Sequence, residues 1–218
     1  MENILERIFR VDYWNPERLT GVLLVSGLLM LFLMLGLFAI RGNLADVFAQ
    51  IQGIAHNAYV RTISLSVWIT AALLSLAGYT LLSTLLEREG AQYILKTAST
   101  AMLIATVFLI LEATIHVAFG SWAAEDLNHS EIKAELYQVI FQWASITLQR
   151  VYVPVGYISL MLFGWAILIT DRLPDWSGWM TLVWGGSMLG MFMISNTTLP
   201  ATLLIPGALI GIVLLMNS

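Results

Sequence analysis

The sequence predicts an all-α fold: a polytopic transmembrane helix bundle with six spans and short interfacial helices. Hydrophobic residues fill 59% of the 218 positions, and charged residues fill only 11%. A soluble domain carries about 25% charged residues, so this chain has too little polar surface to cover a water-soluble globule. Backbone polar groups in lipid must be paired internally, and the alternation typical of β-barrel strands is missing. Helices are therefore the predicted spanning element.

The predicted spans are six apolar segments, and about 20 residues are needed to cross the hydrocarbon core. The last two segments are separated by a few polar residues only, which predicts a tight helical hairpin. Gly186-x-x-x-Gly190 and Gly207-x-x-x-Gly211 would let the backbones of that hairpin approach closely. No linker divides the chain, so residues 1–218 are predicted to form a single transmembrane domain. The six spans are 20–40, 64–86, 97–119, 151–169, 176–194 and 199–216.

Three polar stretches carry apolar residues at helical spacing, which indicates helices at the membrane surface. They lie at 4–14, 44–54 and 132–146. The third either lies on the bilayer or extends the fourth span. Tryptophans near the predicted span ends fit interfacial anchors.

The distribution of Lys and Arg over the loops predicts that both termini are cytoplasmic. With that orientation, six basic residues lie on the inner side and four on the outer side, where the loops are longer. The acidic connection between the third and fourth spans, with Glu125 and Asp126, then faces outward.

Charge and cysteine content exclude several classes of function. The net charge is −4, so no surface for binding nucleic acid is expected. Cysteine is absent from the sequence, which excludes disulfides, thiolate metal sites and cysteine nucleophiles. The composition as a whole excludes a soluble enzyme and a disordered regulator.

The sharpest polar feature is the pair Glu112 and His116 inside the third predicted span. A spacing of four residues places both side chains on one face of a helix. A charged residue at the bilayer centre costs about 2.5–3.5 kcal/mol on insertion scales. The pair therefore predicts a proton relay, a metal-ligand pair or a contact to a polar ligand, or else a structural link between helices. Both side chains are expected to face the bundle interior, with partners among the hydroxyls of Thr70, Tyr79, Tyr157 and Ser159.

Two further positions are weaker candidates. Glu125 and His129 repeat the spacing of four in the following loop. They would join Glu112 and His116 at a metal only if the helix broke near Gly120; otherwise they are solvated loop side chains. Arg150 precedes the fourth span, where it either binds a lipid phosphate or only extends to the interface.

A likeness to a known family appears in the last fifty residues. The fourth span is followed by a Leu-Pro-x-Trp-x-Gly turn at 173–178, then a Gly-rich span, then Pro200 and a terminal apolar helix. This layout resembles a family of bacterial six-helix membrane proteins known only as a domain of unknown function. The resemblance implies a six-helix fold and a location in the bacterial inner membrane, and it implies no catalytic residue.

These observations favour a non-enzymatic integral membrane protein. Most spans lack ionisable residues in their interior, and such helices bury or face lipid. The expected role is an accessory or structural subunit of a membrane complex, or a small-ligand binder. The alternative is a transporter or membrane-embedded enzyme that uses Glu112 and His116 as proton relay or metal ligands. The predicted partners are the lipid bilayer and other membrane subunits, and the sequence indicates no particular cofactor.

Overall fold

The computed structural model describes residues 15–39, 58–88, 90–124, 131–195 and 200–218. Within these ranges the secondary structure is entirely helical, which confirms the predicted all-α class. The order along the chain is α1 (Pro16–Ala39), α2 (Ala58–Leu85), α3 (Gln92–Ala124), α4 (Glu131–Thr170), α5 (Asp175–Ser195), a 3₁₀ helix (Pro200–Leu203) and α6 (Leu204–Asn217).

Among the described residues, three helices are long and apolar enough to cross a membrane, rather than the predicted six. They are Leu65–Leu85 in α2, Gln92–Ile115 in α3 and Ile146–Thr170 in α4, which match the predicted second, third and fourth spans. The sixth predicted span falls short because α6 has only 14 residues. At 1.5 Å per residue it is about 21 Å long, against a hydrocarbon core of about 30 Å.

The polar connection before the fourth span belongs to α4 itself. This helix has 40 residues and passes through Pro154 without ending, so the predicted helix at 132–146 extends the span. Likewise, α3 continues past Gly120 to Ala124, so the helix does not break where a four-residue metal site would have required it. The interfacial helices predicted at 4–14 and 44–54 lie outside the described residues.

The helices pack in sequence from α1 to α5, and α6 then returns to pack chiefly on α1. The predicted hairpin of the last two spans is therefore wrong. Gly207 lies against Tyr79 of α2, and Gly211 lies against Gly21 of α1. These two glycines allow α6 to pack closely on α1 and α2, because a side chain at either position would overlap Tyr79 or Gly21.

Two pairs of helices approach each other at reciprocal glycine contacts. A Cβ atom at Gly21 would lie 2.8 Å from the Gly211 oxygen, and one at Gly211 would lie 2.8 Å from the Gly21 oxygen. A Cβ at Gly164 of α4 would lie 2.7 Å from the Gly178 oxygen of α5. Backbone cannot yield as a flexible side chain does, so glycine is required at these crossings.

The Leu-Pro-x-Trp-x-Gly segment forms the turn between α4 and α5. Asp171 adopts a left-handed conformation (φ 53°) that ends α4, and the Ser177 backbone N–H donates to the Pro174 oxygen at the start of α5. Leu173 is buried, Trp176 is exposed, and Gly178 packs on α4. The segment therefore connects α4 to α5 through a buried leucine and a close glycine contact.

Candidate functional site

Glu112 of α3 is hydrogen-bonded to Tyr152 of α4. The Tyr152 hydroxyl donates to the Glu112 Oε2 atom at 2.7 Å, and Tyr152 is completely buried. The Gln149 side chain, one helical turn earlier on α4, also lies within hydrogen-bonding reach of this hydroxyl. The Glu112 carboxylate therefore contacts a neighbouring helix, as predicted for an ionisable residue inside a span.

The hydrogen bond from Tyr152 reduces the cost of a charge at Glu112. Glu112 lies inside the long apolar part of α3 that begins at Gln92. The insertion cost of about 2.5–3.5 kcal/mol applies at the centre. A hydrogen bond to a charged group contributes about 1.5–3 kcal/mol. The free energy of the Tyr152 hydrogen bond is therefore comparable to the cost of inserting the Glu112 carboxylate.

Tyr152 was not among the four hydroxyls expected as partners. Thr70 donates to the Ser66 oxygen within α2, and Ser159 donates to the Ala98 oxygen of α3 at 2.7 Å. These bonds use the hydroxyl protons of both residues. The sequence offered no signal for Tyr152, because the register of α3 against α4 is decided by their packing and not by spacing along one helix.

The remaining sequence-predicted site residues are not gathered around Glu112 in the described part of the chain. His116 belongs to α3 one turn after Glu112, but its side chain lies outside the described set, as does all of Glu125 and His129. Arg150 is exposed on α4. Among the described residues, no group of three or more His, Cys, Asp or Glu side chains is placed to hold a metal ion.

A second polar feature is the 3₁₀ turn that precedes α6. The Thr202 hydroxyl is hydrogen-bonded to the Tyr157 hydroxyl, and the Trp184 Nε1–H donates to the Thr202 carbonyl oxygen at 3.1 Å. Tyr157 is near the middle of the apolar stretch Ile146–Thr170, and Trp184 is near the middle of α5. The turn therefore lies at about half the depth of these helices, and α6 begins inside the bundle.

Irregular backbone at membrane depth is tolerated where protein buries it or where it lines a cavity. Here both apply. Leu203 of the turn and Leu204 at the start of α6 are buried, and they line a cleft between α2 and α3. We name it the α2–α3 cleft; its other lining residues include Trp68, Ser75 and Tyr79 of α2 and Met102, Thr106 and Leu109 of α3.

The α2–α3 cleft is partly open and mostly apolar. Its enclosed part, in which the centre of a water molecule fits, measures about 20 Å³, and the rest of the cleft is open to the surroundings. That enclosed part has room for about one water. Trp68 and Leu76 are only partly buried, so the cleft reaches the outer surface of the bundle.

Tyr79 contributes a polar group to this apolar cleft. Its side chain is 1% exposed, and its hydroxyl oxygen has almost no accessible surface. The oxygen lies beside the Gly207 backbone in the first turn of α6, but no acceptor is present for the hydroxyl proton within the described ranges. A buried polar group without a partner costs about 1–3 kcal/mol. Ser99 has the other such hydroxyl among the described residues, and it is not part of the cleft lining.

The fold and these sites define the chain as a helical membrane protein with polar groups held inside its helix bundle. Comparison with protein-family models, with curated proteins and with solved structures gives no match. The resemblance to the six-helix bacterial family therefore stays a prediction.

Proposed function

We propose that the protein is a non-enzymatic integral membrane protein that binds a small ligand in the α2–α3 cleft. The observation that carries this proposal is the buried Tyr79 hydroxyl without an acceptor, in a cleft that opens to the bundle surface. Ligand pockets are mostly apolar, with a few polar groups that fix orientation. The 3₁₀ turn that precedes α6 borders the cleft through Leu203.

Extraction of small molecules from the purified protein tests this function. Ala72 lines the cleft and is buried, so Ala72→Phe fills the space where the ligand lies. The wild-type protein should yield a co-purified molecule, detected by mass spectrometry, which Ala72→Phe loses. Leu103→Phe is the matched control, because Leu103 is exposed on the same bundle, and it should retain the molecule. Identical extracts from the wild type and from a folded Ala72→Phe protein would contradict the proposal.

A second candidate function is proton transfer at Glu112. It is favoured by the 2.7 Å bond from Tyr152 and by the nearby Gln149, which place polar groups together between α3 and α4. Ionisable residues inside membranes are functional candidates by default. If the protein moves protons, Glu112→Gln should abolish acidification of vesicles that contain the reconstituted protein, while Ser159→Ala should not. Equal proton flux in the two variants would remove this candidate.

We also propose that six helices enter the bilayer. α1 packs along α2 with Gly27 against Ser75, and α5 packs along α4 with Gly185 against Tyr157, so both would share the depth of a spanning neighbour. α6 would run from mid-depth to the surface. There Arg18 donates to the Ser218 carbonyl oxygen at 2.8 Å, which brings the start of α1 and the end of α6 together.

This shared end is proposed to be cytoplasmic, on the inner membrane of a bacterium, since Arg18, Arg88, Lys96 and Arg172 would all lie there. A single cysteine at Ser218 tests the orientation, because the natural chain contains none. A membrane-impermeant maleimide should fail to label it in intact cells and should label it after lysis. Strong labelling of intact cells would show that the C-terminus lies outside the cell, opposite to the proposed orientation.

A further inference from the structure

We propose that the connection between α1 and α2, residues 40–57, docks through its apolar side chains on an exposed stripe of α4 that lies beyond the hydrocarbon core. The connection itself lies outside the described residues, whereas the surface that receives it is described. We name this surface the α4 apolar face; it consists of Leu136, Val139, Trp143 and Ile146. The contact is separate from the ligand-binding function proposed above and does not depend on it.

The α4 apolar face is uncovered because α5 ends before reaching it. All four of its side chains are exposed, and Trp143 is 77% exposed. Two heptads further along the same side of α4, Tyr157 packs on α5, where a Cβ at Gly185 would lie 2.9 Å from the Tyr157 oxygen. α4 and α5 are antiparallel, so Ser195 at the end of α5 is level with about residue 147 of α4. The α4 apolar face therefore lies beyond the part of α4 that α5 covers, and no other described helix replaces α5 there.

Lipid chains do not cover this face either. The apolar stretch of α4 begins at Ile146 and ends at Thr170, and its 25 residues are about 38 Å long at 1.5 Å per residue. That length already exceeds a hydrocarbon core of about 30 Å. Leu136, Val139 and Trp143 precede the stretch, so they are next to water or lipid headgroups. An apolar stripe exposed at such a position marks a surface that binds another protein segment.

The connection between α1 and α2 carries a matching stripe. Its residues Leu44, Val47, Ile51 and Ile54 repeat the intervals of three, four and three residues that separate the members of the α4 apolar face. This is the heptad spacing of helices that pack knobs into holes. On a helix, each stripe is about 15 Å long. The two stripes therefore match in length as well as in spacing.

The position of the connection agrees with this pairing. The rings of Tyr79 and Phe163 are in contact, and Arg88 donates to the Thr170 oxygen, so α2 and α4 run in the same direction. Arg88 and Thr170 are 82 residues apart. At the same offset, Ala58 at the start of α2 is level with the middle of the α4 apolar face. The connection thus enters α2 at the height of the surface on which it docks.

The connection is also longer than a simple turn between helices. Residues 40–57 are more than twice as many as the about 2–8 residues that join neighbouring helices in bundles. The other segments outside the described residues are not suited to the α4 apolar face. Residues 1–14 precede α1 at the opposite end of the bundle, and residues 125–130 and 196–199 are each shorter than two helical turns.

Cysteine cross-linking tests the contact, because the natural chain contains no cysteine. Trp143→Cys in the full chain is combined with Val47→Cys, Ile51→Cys or Ala49→Cys. Each protein is oxidised with copper phenanthroline in native membranes and treated with a maleimide, and the intact mass then counts the free thiols. A disulfide requires Cα atoms within about 7 Å, so a Val47 or Ile51 pair should be oxidised at least about fivefold more than the Ala49 pair. Ala49 is the matched control because it lies on the opposite side of the same predicted helix.

Three results would overturn the proposal. A disulfide-linked dimer from Trp143→Cys alone would show that a second copy of the chain covers the face. Equal oxidation of all three pairs would show proximity without an ordered contact, and no oxidation in any pair would place the connection elsewhere. Val139→Cys in place of Trp143→Cys repeats the test one turn away and should give the same preference over Ala49. None of these results depends on whether a ligand occupies the α2–α3 cleft, so the two proposals can fail separately.

Discussion

Gly164→Ala should destabilise the protein, whereas Gly190→Ala should leave it unchanged or make it more stable. A Cβ at Gly164 would lie 2.7 Å from both the Gly178 oxygen and the Leu182 nitrogen of α5, so the two helices must separate. Overpacking of this kind costs about 1–3 kcal/mol. At Gly190 no described atom lies within 4 Å of the added Cβ, and alanine is favoured over glycine within a helix by about 0.5–1 kcal/mol.

The free energy of unfolding in mixed detergent micelles measures this difference. Gly186→Ala serves as a second control, since the nearest described atom to its added Cβ is the flexible end of Met161 at 3.9 Å. The two variants on the open face of α5 should therefore resemble each other and differ from Gly164→Ala. A Gly164→Ala protein as stable as Gly190→Ala would mean that α4 and α5 do not cross at this glycine pair.

Tyr152→Phe and Glu112→Gln should show strong energetic coupling in a double-mutant cycle. Tyr152→Phe removes the bond to the Glu112 carboxylate, which is expected to contribute about 1.5–3 kcal/mol if the carboxylate is ionised. Glu112→Gln keeps a neutral acceptor for the Tyr152 hydroxyl, so its own effect should be smaller. The expected coupling is about 1–2 kcal/mol, within the range for residues in direct contact.

Ser159→Ala provides the matched control for this cycle. Ser159 also connects α4 to α3, through its bond to the Ala98 oxygen at 2.7 Å, but it lies far along the interface from Glu112. Its effect should add to that of Tyr152→Phe without coupling. Additive behaviour of Tyr152→Phe with Glu112→Gln would show that the bond to the carboxylate is no stronger than a bond to a neutral amide.

The same substitutions separate a structural role from a chemical one. If Glu112 and His116 only link helices, Glu112→Gln combined with His116→Asn should preserve both fold and function, because amide hydrogen bonds replace the original ones. If the pair relays protons or holds a metal ion, the double variant should express normally and lose activity.

The residue types by themselves determined the class of the protein and much of its local structure. The scarcity of charge and the long apolar runs require helices in lipid, and α2, α3 and α4 contain the predicted second, third and fourth spans. The spacing of Glu112 on its helix also predicted a contact across helices. These features depend on composition and on neighbours along the chain, which a sequence displays directly.

The tertiary structure alone decided the packing partners and the depth of the last helix. The short separation between α5 and α6 predicted a hairpin, yet Gly207 packs against the Tyr79 side chain of α2 and Gly211 against the Gly21 backbone oxygen of α1. The apolar run at 199–216 predicted a full span, but the hydrogen bonds of Thr202 to Tyr157 and Trp184 hold its first residues in a turn at mid-depth. Tyr152 and Tyr79 became candidates for the same reason: a partner, or the lack of one, depends on how distant helices are placed, and the spacing of residues along one helix does not contain that information.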